Sequence, residues 1–342
     1  MKLRLFDFHL PQKLIAQKPN IPRDHSRLLV YDKKSGKIDH NTFFNLPKYL
    51  EKGDLLVFNN SKVLPARLLG NKETGGAAEA LLLKEISKNE WEAMLGTRRP
   101  KLGLKINFKK GLIATVTESL SNKTWVLQFN FSGQRLKDIF QSIGQVPLPP
   151  YIHSSSSQSK LKKQYQTIYA KTYGSAAAPT AGLHFTPRLL KKLKQKGINS
   201  AFVTLHVGLG TFMPVNTENI EDFQIHHEYA SIDQSNLKLI KNAIKSGQKI
   251  IAVGTTSVRT LEALVPKSKN KQSVSDFVDI YIYPGYKYQV VDAMITNFHL
   301  PKSSLLMLVS AFIGTKNCMN IYKKAIKLKY RFFSFGDGML LK

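Results

Sequence analysis

The stretch YGSAAAPTAGLHFT, residues 173–186, is the feature around which the chain is organised. Between its two glycines no side chain is larger than threonine or proline, so the main chain is open to close approach by a ligand or another backbone. A helix is predicted to begin directly after it, with Thr186 as the N-cap and Pro187 as the first residue. Because helix N-termini favour polar or anionic ligands, this pattern predicts a binding loop that carries His184. A tight packing turn between two elements is the alternative.

Beyond this stretch, strand and helix patterns alternate to the end of the chain. Strands are predicted at 201–207 and 249–253, with helices at 235–246 and 257–264, and a last strand at 330–335. Alternating strands and helices predict an α/β domain.

The segment from 66 to 131 has a different character. It contains short strand patterns separated by glycine and asparagine turns, which predict a small barrel or sandwich. We therefore divide the chain into an α/β host domain, 1–63 and 153–342, and an inserted β domain, 64–152. A polar linker is predicted at 154–159.

The charge of the chain is strongly positive. Its 342 residues include 51 Lys and Arg against 23 Asp and Glu, a net charge of +28. A folded chain with this excess favours a polyanionic partner such as nucleic acid, bound through its phosphates. A lysine-rich genome composition is the alternative explanation.

Cysteine content and hydropathy bear on the compartment. Cys318 is the single cysteine, so neither a disulfide framework nor a cysteine-based zinc site is expected. The sequence contains neither a signal-peptide pattern nor an apolar run of about 18 residues, the length of a membrane span. We therefore expect a cytoplasmic protein that does not bind a membrane.

A second loop-to-helix junction follows the strand at 249–253. Gly254 provides the turn, Thr255 and Thr256 provide hydroxyls at the helix start, and Arg259 provides a fixed charge. Ligands of α/β proteins lie beyond the carboxyl ends of strands, which makes this a candidate binding site. A capped helix with an ion-paired arginine is the alternative.

A third junction, residues 296–304, combines Asn297, His299, Lys302 and Ser303, with Asp292 upstream. Polar groups at this density are costly to bury unless they bind something or satisfy one another in an N-cap network.

Two further histidine-containing segments are less specific. His206 lies at a strand end before a glycine-rich loop, but the residues after Gly210 exclude a dinucleotide-binding fingerprint, and a lone strand histidine is more often structural than catalytic. The triplet 226–228 lacks the spacing of a zinc motif, so a metal site is not expected.

Eight ordered segments together resemble the S-adenosylmethionine:tRNA ribosyltransferase-isomerase family of queuosine biosynthesis. The resemblance extends from about Asp7 to Leu341. The segments that carry it are 58–67, 165–170, 178–186, 207–212, 252–262, 282–286, 296–303 and 330–337.

The resemblance implies an α/β host domain with a mixed sheet and an inserted small six-stranded β-barrel. It implies transfer and isomerisation of the ribosyl group of S-adenosylmethionine onto a tRNA that carries 7-aminomethyl-7-deazaguanine at its wobble position. Adenine and methionine leave, and the product is epoxyqueuosine-tRNA. S-adenosylmethionine is then a co-substrate; neither a permanently bound cofactor nor a metal is expected, and we expect a monomer.

This chemistry needs a proton donor for the adenine leaving group and a base for the 5′ carbon, roles that histidines and carboxylates can fill. The sequence does not order the candidates. The candidate catalytic residues are His184, His299, Glu228, His206 and Asp292. The candidate substrate-binding residues are Thr180, Gly182, Thr255, Thr256, Arg259, Asn297, Ser303, Tyr169 and Arg67.

Two further expectations concern how the site is built. We expect the segments 178–184, 254–259 and 297–303 to converge on one cleft. The aromatic residues proposed to stack on the target base are Phe185, Phe298, Tyr169 and Tyr286. A non-catalytic RNA-binding protein and a tRNA methyltransferase are the alternative functions.

The chain departs from the family pattern at a few positions. Phe223 stands where a histidine is usual, Gly338 where an alanine is usual, and His153 where another basic residue is usual. These departures leave the three junctions intact.

Overall fold

The computed structural model describes residues 1–120, 124–149, 151–152, 157–208 and 215–342. His153, the first half of the predicted 154–159 linker and most of the glycine-rich loop after Val207 lie outside these residues.

Within the described residues the chain forms strands and helices in the following order. The strands are β1 (Arg27–Tyr31), β2 (Ile38–Thr42), β3 (Leu55–Asn59), β4 (Ser61–Val63), β5 (Arg67–Lys72), β6 (Ala77–Glu85), β7 (Glu90–Gly96), β8 (Lys105–Phe108), β9 (Ile113–Ser119), β10 (Thr124–Phe129), β11 (Thr172–Ser175), β12 (Asn199–Leu205), β13 (Glu228–Ile232), β14 (Ile250–Val253), β15 (Val274–Val278), β16 (Ala293–Asn297) and β17 (Gly338–Leu341). The α-helices are α1 (Gly133–Ile143), α2 (Gln158–Gln164), α3 (Pro187–Gln195), α4 (Gln234–Lys245), α5 (Thr255–Leu264), α6 (Ser304–Ile313) and α7 (Thr315–Lys327).

A nine-stranded mixed sheet forms the host domain, with the order β15-β13-β12-β3-β14-β16-β17-β1-β2. Its four central neighbours β12, β3, β14 and β16 are parallel, so their carboxyl ends meet at one edge. Both faces of β3 are buried: Leu55 and Val57 pack into one core, and Leu56 and Phe58 into the other. Because both faces of β3 are covered, its sequence from Leu55 to Phe58 is a continuous run of apolar residues.

The inserted segment forms a closed barrel in the order β10-β7-β6-β5-β8-β9, with every neighbouring pair antiparallel. Its core is separate from the host cores, and α1 packs into it: Phe140 meets the rings of Trp91 and Phe129 edge to face. The mixed sheet and the six-stranded barrel confirm the predicted fold class, whereas the domain limits at 64 and 152 stay a prediction.

The predicted last strand at 330–335 is wrong, because the strand here is β17. The carboxylate of Asp337 accepts hydrogen bonds from the backbone N–H groups of Arg27 and Arg331, at 3.0 and 2.8 Å. Phe333 has a φ of +69° and turns the chain before β17. The aromatic residues of this segment are buried by packing against neighbouring core residues rather than by strand alternation.

In the described part of the chain, no single helix combines the length and hydropathy that a bilayer crossing requires. Helices α6 and α7 pass that test only as a pair, and the chain bends by 115° between them.

Candidate active site

A cleft of about 80 Å³ lies at the edge of the sheet where the parallel strands end. The loop 177–181, the start of α5 and the segment from β16 to α6 all contribute to its walls, so the three predicted junctions converge there. The lining residues are Tyr151, Ala177, Ala178, Pro179, Thr180, Ala181, Val207, Gly254, Thr255, Thr256, Thr296, Asn297, His299, Leu300, Ser303, Leu305, Phe333 and Ser334.

The start of α5 presents backbone and hydroxyl groups to the cleft. Gly254 has a φ of +88°, a conformation that side chains rarely adopt, and it turns β14 into the helix. Within the described residues, the buried hydroxyl of Thr256 has no hydrogen-bond partner. An unsatisfied buried hydroxyl at a helix N-terminus is available to a polar ligand.

Asn297 connects two of the three junctions. Its side-chain oxygen accepts a hydrogen bond from the Thr180 hydroxyl at 3.2 Å, and its amide nitrogen donates to the Phe333 carbonyl at 3.1 Å. Ser303 caps α6, because its hydroxyl accepts from the N–H of Leu306. The bonds to Thr180 and Phe333 fix the Asn297 side chain in the cleft wall.

His184 lies behind Asn297 rather than in the cleft wall. Its Nε2 lies 3.3 Å from the Asn297 amide nitrogen, and its ring stacks on Phe43 with centroids 4.5 Å apart. Burial lowers the pKa of His184 to about 3, so the ring is neutral at physiological pH. Its position suits it to hold Asn297 rather than to touch a ligand.

His299 is the histidine that lines the cleft. Its Nε2 lies 2.8 Å from the Thr296 hydroxyl, and its backbone N–H donates to the Tyr322 hydroxyl at 3.0 Å. Burial lowers its pKa to about 3 as well. A neutral imidazole held this way can exchange hydrogen bonds with an uncharged ring.

Sequence reasoning did not assign Tyr151, Phe333 and Ser334 to the site. The Tyr151 ring stacks on Phe333 with centroids 4.4 Å apart, and its hydroxyl lies 2.8 Å from the Ser334 hydroxyl. Burial raises the pKa of Tyr151 to about 12. Phe333 and Ser334 belong to the 330–337 motif, of which we interpreted residues 330–335 as a strand.

Glu228 and Arg259 form a buried ion pair beside the cleft. Glu228 Oε1 accepts from the backbone N–H of Gly208 at 2.8 Å, and Arg259 donates to the carbonyls of Ile280 and Val278. The pair therefore joins α5 to β13 and to the residue after the lining residue Val207. This arrangement matches the ion-paired arginine of the alternative interpretation, although the N-cap of α5, Gly254, offers no side-chain cap.

The structure places three predicted site residues outside the cleft. Asp292 exchanges hydrogen bonds with Ile250 at the opposite end of β14, because its carboxylate accepts the first N–H of that strand. Arg67 lies on the barrel and forms a two-pronged ion pair with Glu79 at 2.8 Å. The ring of His206 packs on Tyr229, on the outer side of the sheet.

Gly182 and Tyr169 support the loop from behind. A Cβ at position 182 would lie 1.9 Å from the Tyr169 hydroxyl, so only glycine fits there. The Tyr169 ring packs on Phe58 and Phe202, and burial raises its pKa.

The predicted stacking residues are placed elsewhere. Phe185 and Phe298 are fully buried among other aromatic rings, and the Tyr286 hydroxyl donates to Glu262 at 3.0 Å. None of these rings, nor that of Tyr169, is among the described residues that line the cleft.

These features define an α/β protein with an uncharged ligand site at the carboxyl ends of parallel strands, in which hydroxyl, amide and imidazole groups stand among apolar side chains. Among the described residues, no group of three or more His, Cys, Asp or Glu could hold a metal ion. The family model described as "Queuosine biosynthesis protein" matches residues 3–341, and the chain belongs to this family.

Curated relatives are similar to this chain in sequence over their whole length. The S-adenosylmethionine:tRNA ribosyltransferase-isomerase of Clostridium kluyveri is 50% identical over 345 residues, and that of Thermoanaerobacter sp. (strain X514) is 49% identical over 344. Each alignment covers 100% of both chains. The crystal structure of S-adenosylmethionine tRNA ribosyltransferase from Thermotoga maritima is 35% identical, with a TM-score of 0.58 over 99% of this chain and 100% of that one.

Proposed function

We propose that this chain catalyses the reaction for which its relatives are named. It transfers and isomerises the ribosyl group of S-adenosylmethionine onto 7-aminomethyl-7-deazaguanine at the tRNA wobble position. Adenine and methionine are released, and epoxyqueuosine-tRNA is formed. The observation that carries this proposal is the convergence of three junctions on one cleft, in a chain that matches these enzymes from end to end.

Two helix N-termini at the cleft suit the donor. The first residues of α5 and the Ser303 cap of α6 both lie in its wall. Their backbone N–H groups favour a negative group, and the carboxylate of the methionine moiety is the negative group that S-adenosylmethionine carries. We propose Thr180, Thr255, Thr256, Asn297 and Ser303 as donor-binding residues.

His299 is proposed to contact one of the two uncharged ring systems, adenine or the deazaguanine. A pKa near 3 makes its imidazole a weak base, and efficient general bases have a pKa near the working pH. Hydrogen bonding is thus a better role for it than unaided proton abstraction. His184 is proposed as a positioning residue that acts through Asn297.

Glu228 and Arg259 are proposed to position α5, because both are occupied by each other and by backbone groups. We retain neither Asp292 nor Arg67 as a site residue, given their places in the fold.

Product analysis tests the proposal. The chain is incubated with S-adenosylmethionine and tRNA that carries the precursor base. We expect adenine and methionine in equal amounts; S-adenosylhomocysteine would indicate methyl transfer, and absence of turnover would favour an RNA-binding protein. The His299→Ala variant should lose about 10²–10³-fold in kcat, the range for loss of one hydrogen bond that stabilises the transition state. His25→Ala, which changes an exposed histidine on the 3-10 helix at 23–25, is the matched control.

We also propose that the protein is cytoplasmic and monomeric and that it has no permanently bound cofactor. Sedimentation of the purified chain, with and without tRNA, tests the monomer.

A further inference from the structure

An aromatic stripe, exposed except for one half-buried histidine, lies near the cleft on the nine-stranded sheet and on β11 of the separate two-stranded sheet. We define it by Tyr173, His206, Tyr229 and Phe277. The rings of His206 and Tyr229 are nearly parallel with centroids 6.0 Å apart, and those of Tyr229 and Phe277 meet edge to face at 5.7 Å. Tyr229, Phe277 and Tyr173 are 39%, 47% and 40% exposed.

The sheet register produces this stripe. Tyr229 on β13 pairs directly with Phe277 on β15, and the backbone N–H of His206 donates to the Tyr229 carbonyl at 3.0 Å. The neighbours of Tyr229 along β13, Glu228 and Ala230, are buried on the other face. Two exposed aromatic rings directly opposite each other, on the edge strand β15 and on its neighbour β13, are costly in water unless a partner covers them.

A lysine lies at each end of the stripe. The ammonium group of Lys62 lies 4.3 Å from the centre of the Tyr173 ring, and that of Lys84, from the barrel, lies 4.8 Å from the centre of the Phe277 ring. The acidic residue nearest in sequence to Phe277 on the same side, Asp279, pairs with His227 at 3.7 Å. Flat rings combined with positive charges match the bases and phosphates of a single-stranded nucleic acid.

The stripe adjoins the cleft along the chain, although none of its four residues is among those that line the cleft. His206 precedes the lining residue Val207, and Gly174 packs so closely on the His206 ring that a Cβ there would lie 2.8 Å from it. The absent side chain at Gly174 therefore lets the backbone of β11, the strand that carries Tyr173, approach the His206 ring. One nucleotide in the cleft would leave its neighbours in the strand close to this row of rings.

We infer that the aromatic stripe and its two lysines bind the single-stranded anticodon-loop nucleotides that flank the target base. This inference rests on the proposed function, since it identifies where that enzyme holds its RNA. It replaces the four stacking residues expected from the sequence, which the structure places in the core or against Glu262.

RNA affinity tests the inference directly. We would measure the binding of a fluorescent anticodon stem-loop to Tyr229→Ala and Phe277→Ala at fixed salt. Each variant should bind about 5- to 150-fold more weakly, the range for loss of one base-stacking ring. Leu239→Ala is the matched control, because this residue is 45% exposed on α4, and it should bind like the wild type.

Two further sets of variants separate stacking from folding. Phe277→Leu keeps an apolar side chain on the strand but has no flat ring, whereas Tyr229→Phe keeps the ring. The first should weaken binding and the second should not, with melting temperatures close to that of the wild type. Lys62→Gln and Lys84→Gln should each reduce the slope of log K against log salt by about 0.7–0.9.

Measuring turnover together with RNA binding shows whether a failure concerns this inference or the proposed function. In the variants, the KM for tRNA should rise while kcat changes little. If the wild type releases adenine and all stripe variants bind RNA normally, the inference is overturned and the function stands. If the wild type shows no turnover but RNA binding still depends on the stripe, the function fails and the stripe assignment stands. Loss of a dimer with unchanged RNA affinity would assign the stripe to a second copy and overturn the inference.

Discussion

At the scale of single residues, the two buried histidines make the free energy of unfolding depend on pH. Burial lowers the pKa of both His184 and His299 to about 3, whereas an unfolded histidine titrates near 6.5. Between these values the unfolded chain binds more protons than the folded chain. The contribution to stability is therefore complete above about pH 6.5 and is lost as the pH falls toward 3.

Urea denaturation at about pH 7 and about pH 5 measures this loss, which approaches about 1.4 kcal/mol per pH unit for each histidine. His299→Gln should make the dependence shallower, and His25→Ala, an exposed site, should leave it unchanged. Equal pH slopes in the wild type and His299→Gln would show that the His299 ring is solvated.

Gly182 and Tyr169 provide a second prediction at this scale. A methyl group at position 182 would overlap the Tyr169 hydroxyl at 1.9 Å, so Gly182→Ala should destabilise the loop by about 1–3 kcal/mol. Tyr169→Phe removes the hydroxyl and should restore part of that loss. A double-mutant cycle measured by urea denaturation gives the coupling. Strictly additive effects would contradict the close contact.

Some site residues could be predicted from the sequence and others could not. Gly182, Thr256 and Asn297 could be identified because turn glycines, helix caps and dense polar groups leave local patterns. Tyr151 and Phe333 could not, because packing between segments distant in sequence brings them together. His184 and His299 looked alike in sequence, and only the structure shows that one lies behind Asn297 and the other lines the cleft.

At the scale of elements, α5 connects the cleft to the rest of the host domain. Glu262, near its carboxyl end, is 3% exposed. Its carboxylate accepts hydrogen bonds from the N–H groups of Gln289, Val290 and Val291 at 2.8 to 3.0 Å and from the Tyr286 hydroxyl. The far end of the helix is thereby tied to the segment 286–291.

Replacing Glu262 with glutamine should disturb both ends of α5. The amide places N–H groups against backbone N–H donors, so we expect a loss of about 2–4 kcal/mol in the free energy of unfolding. Because α5 begins at the cleft, the KM for S-adenosylmethionine should also rise. Tyr286→Phe removes one of the four bonds and should cost only about 1 kcal/mol. If both variants were equally stable, the backbone contacts of Glu262 would contribute little.

Strand prediction succeeded and failed for identifiable reasons. β14 was found because a continuous apolar run is typical of a parallel strand buried on both faces. The segment 330–335 is rich in aromatic residues, which are common in strands, but the Asp337 carboxylate and the Phe333 turn make it a loop. Side-chain hydrogen bonds between distant backbone segments leave no periodic signal in a sequence.

At the scale of the whole molecule, the separate core of the barrel predicts that the insert folds on its own. Every residue of that core lies between Leu64 and Phe140. A fragment of residues 64–152 should therefore unfold cooperatively, as measured by circular dichroism during heating. A fragment of the same length that starts within β6, at Leu82, breaks the barrel and should be unfolded. A disordered 64–152 fragment would show that the predicted domain limits are wrong.

The net charge of +28 leads to a prediction about the whole substrate. A tRNA presents many phosphates, and each one that a lysine or arginine neutralises releases a counterion. Log K for tRNA should therefore fall linearly with log salt, with a slope of about −0.7 to −0.9 per phosphate contacted. S-adenosylmethionine presents one carboxylate to a site among neutral groups, so its affinity should change little over the same range. Fluorescence titration of each ligand from low to high salt measures both slopes with one protein preparation. A salt-independent tRNA affinity would mean that the charge reflects lysine-rich composition and that recognition relies on the cleft and its aromatic surroundings alone.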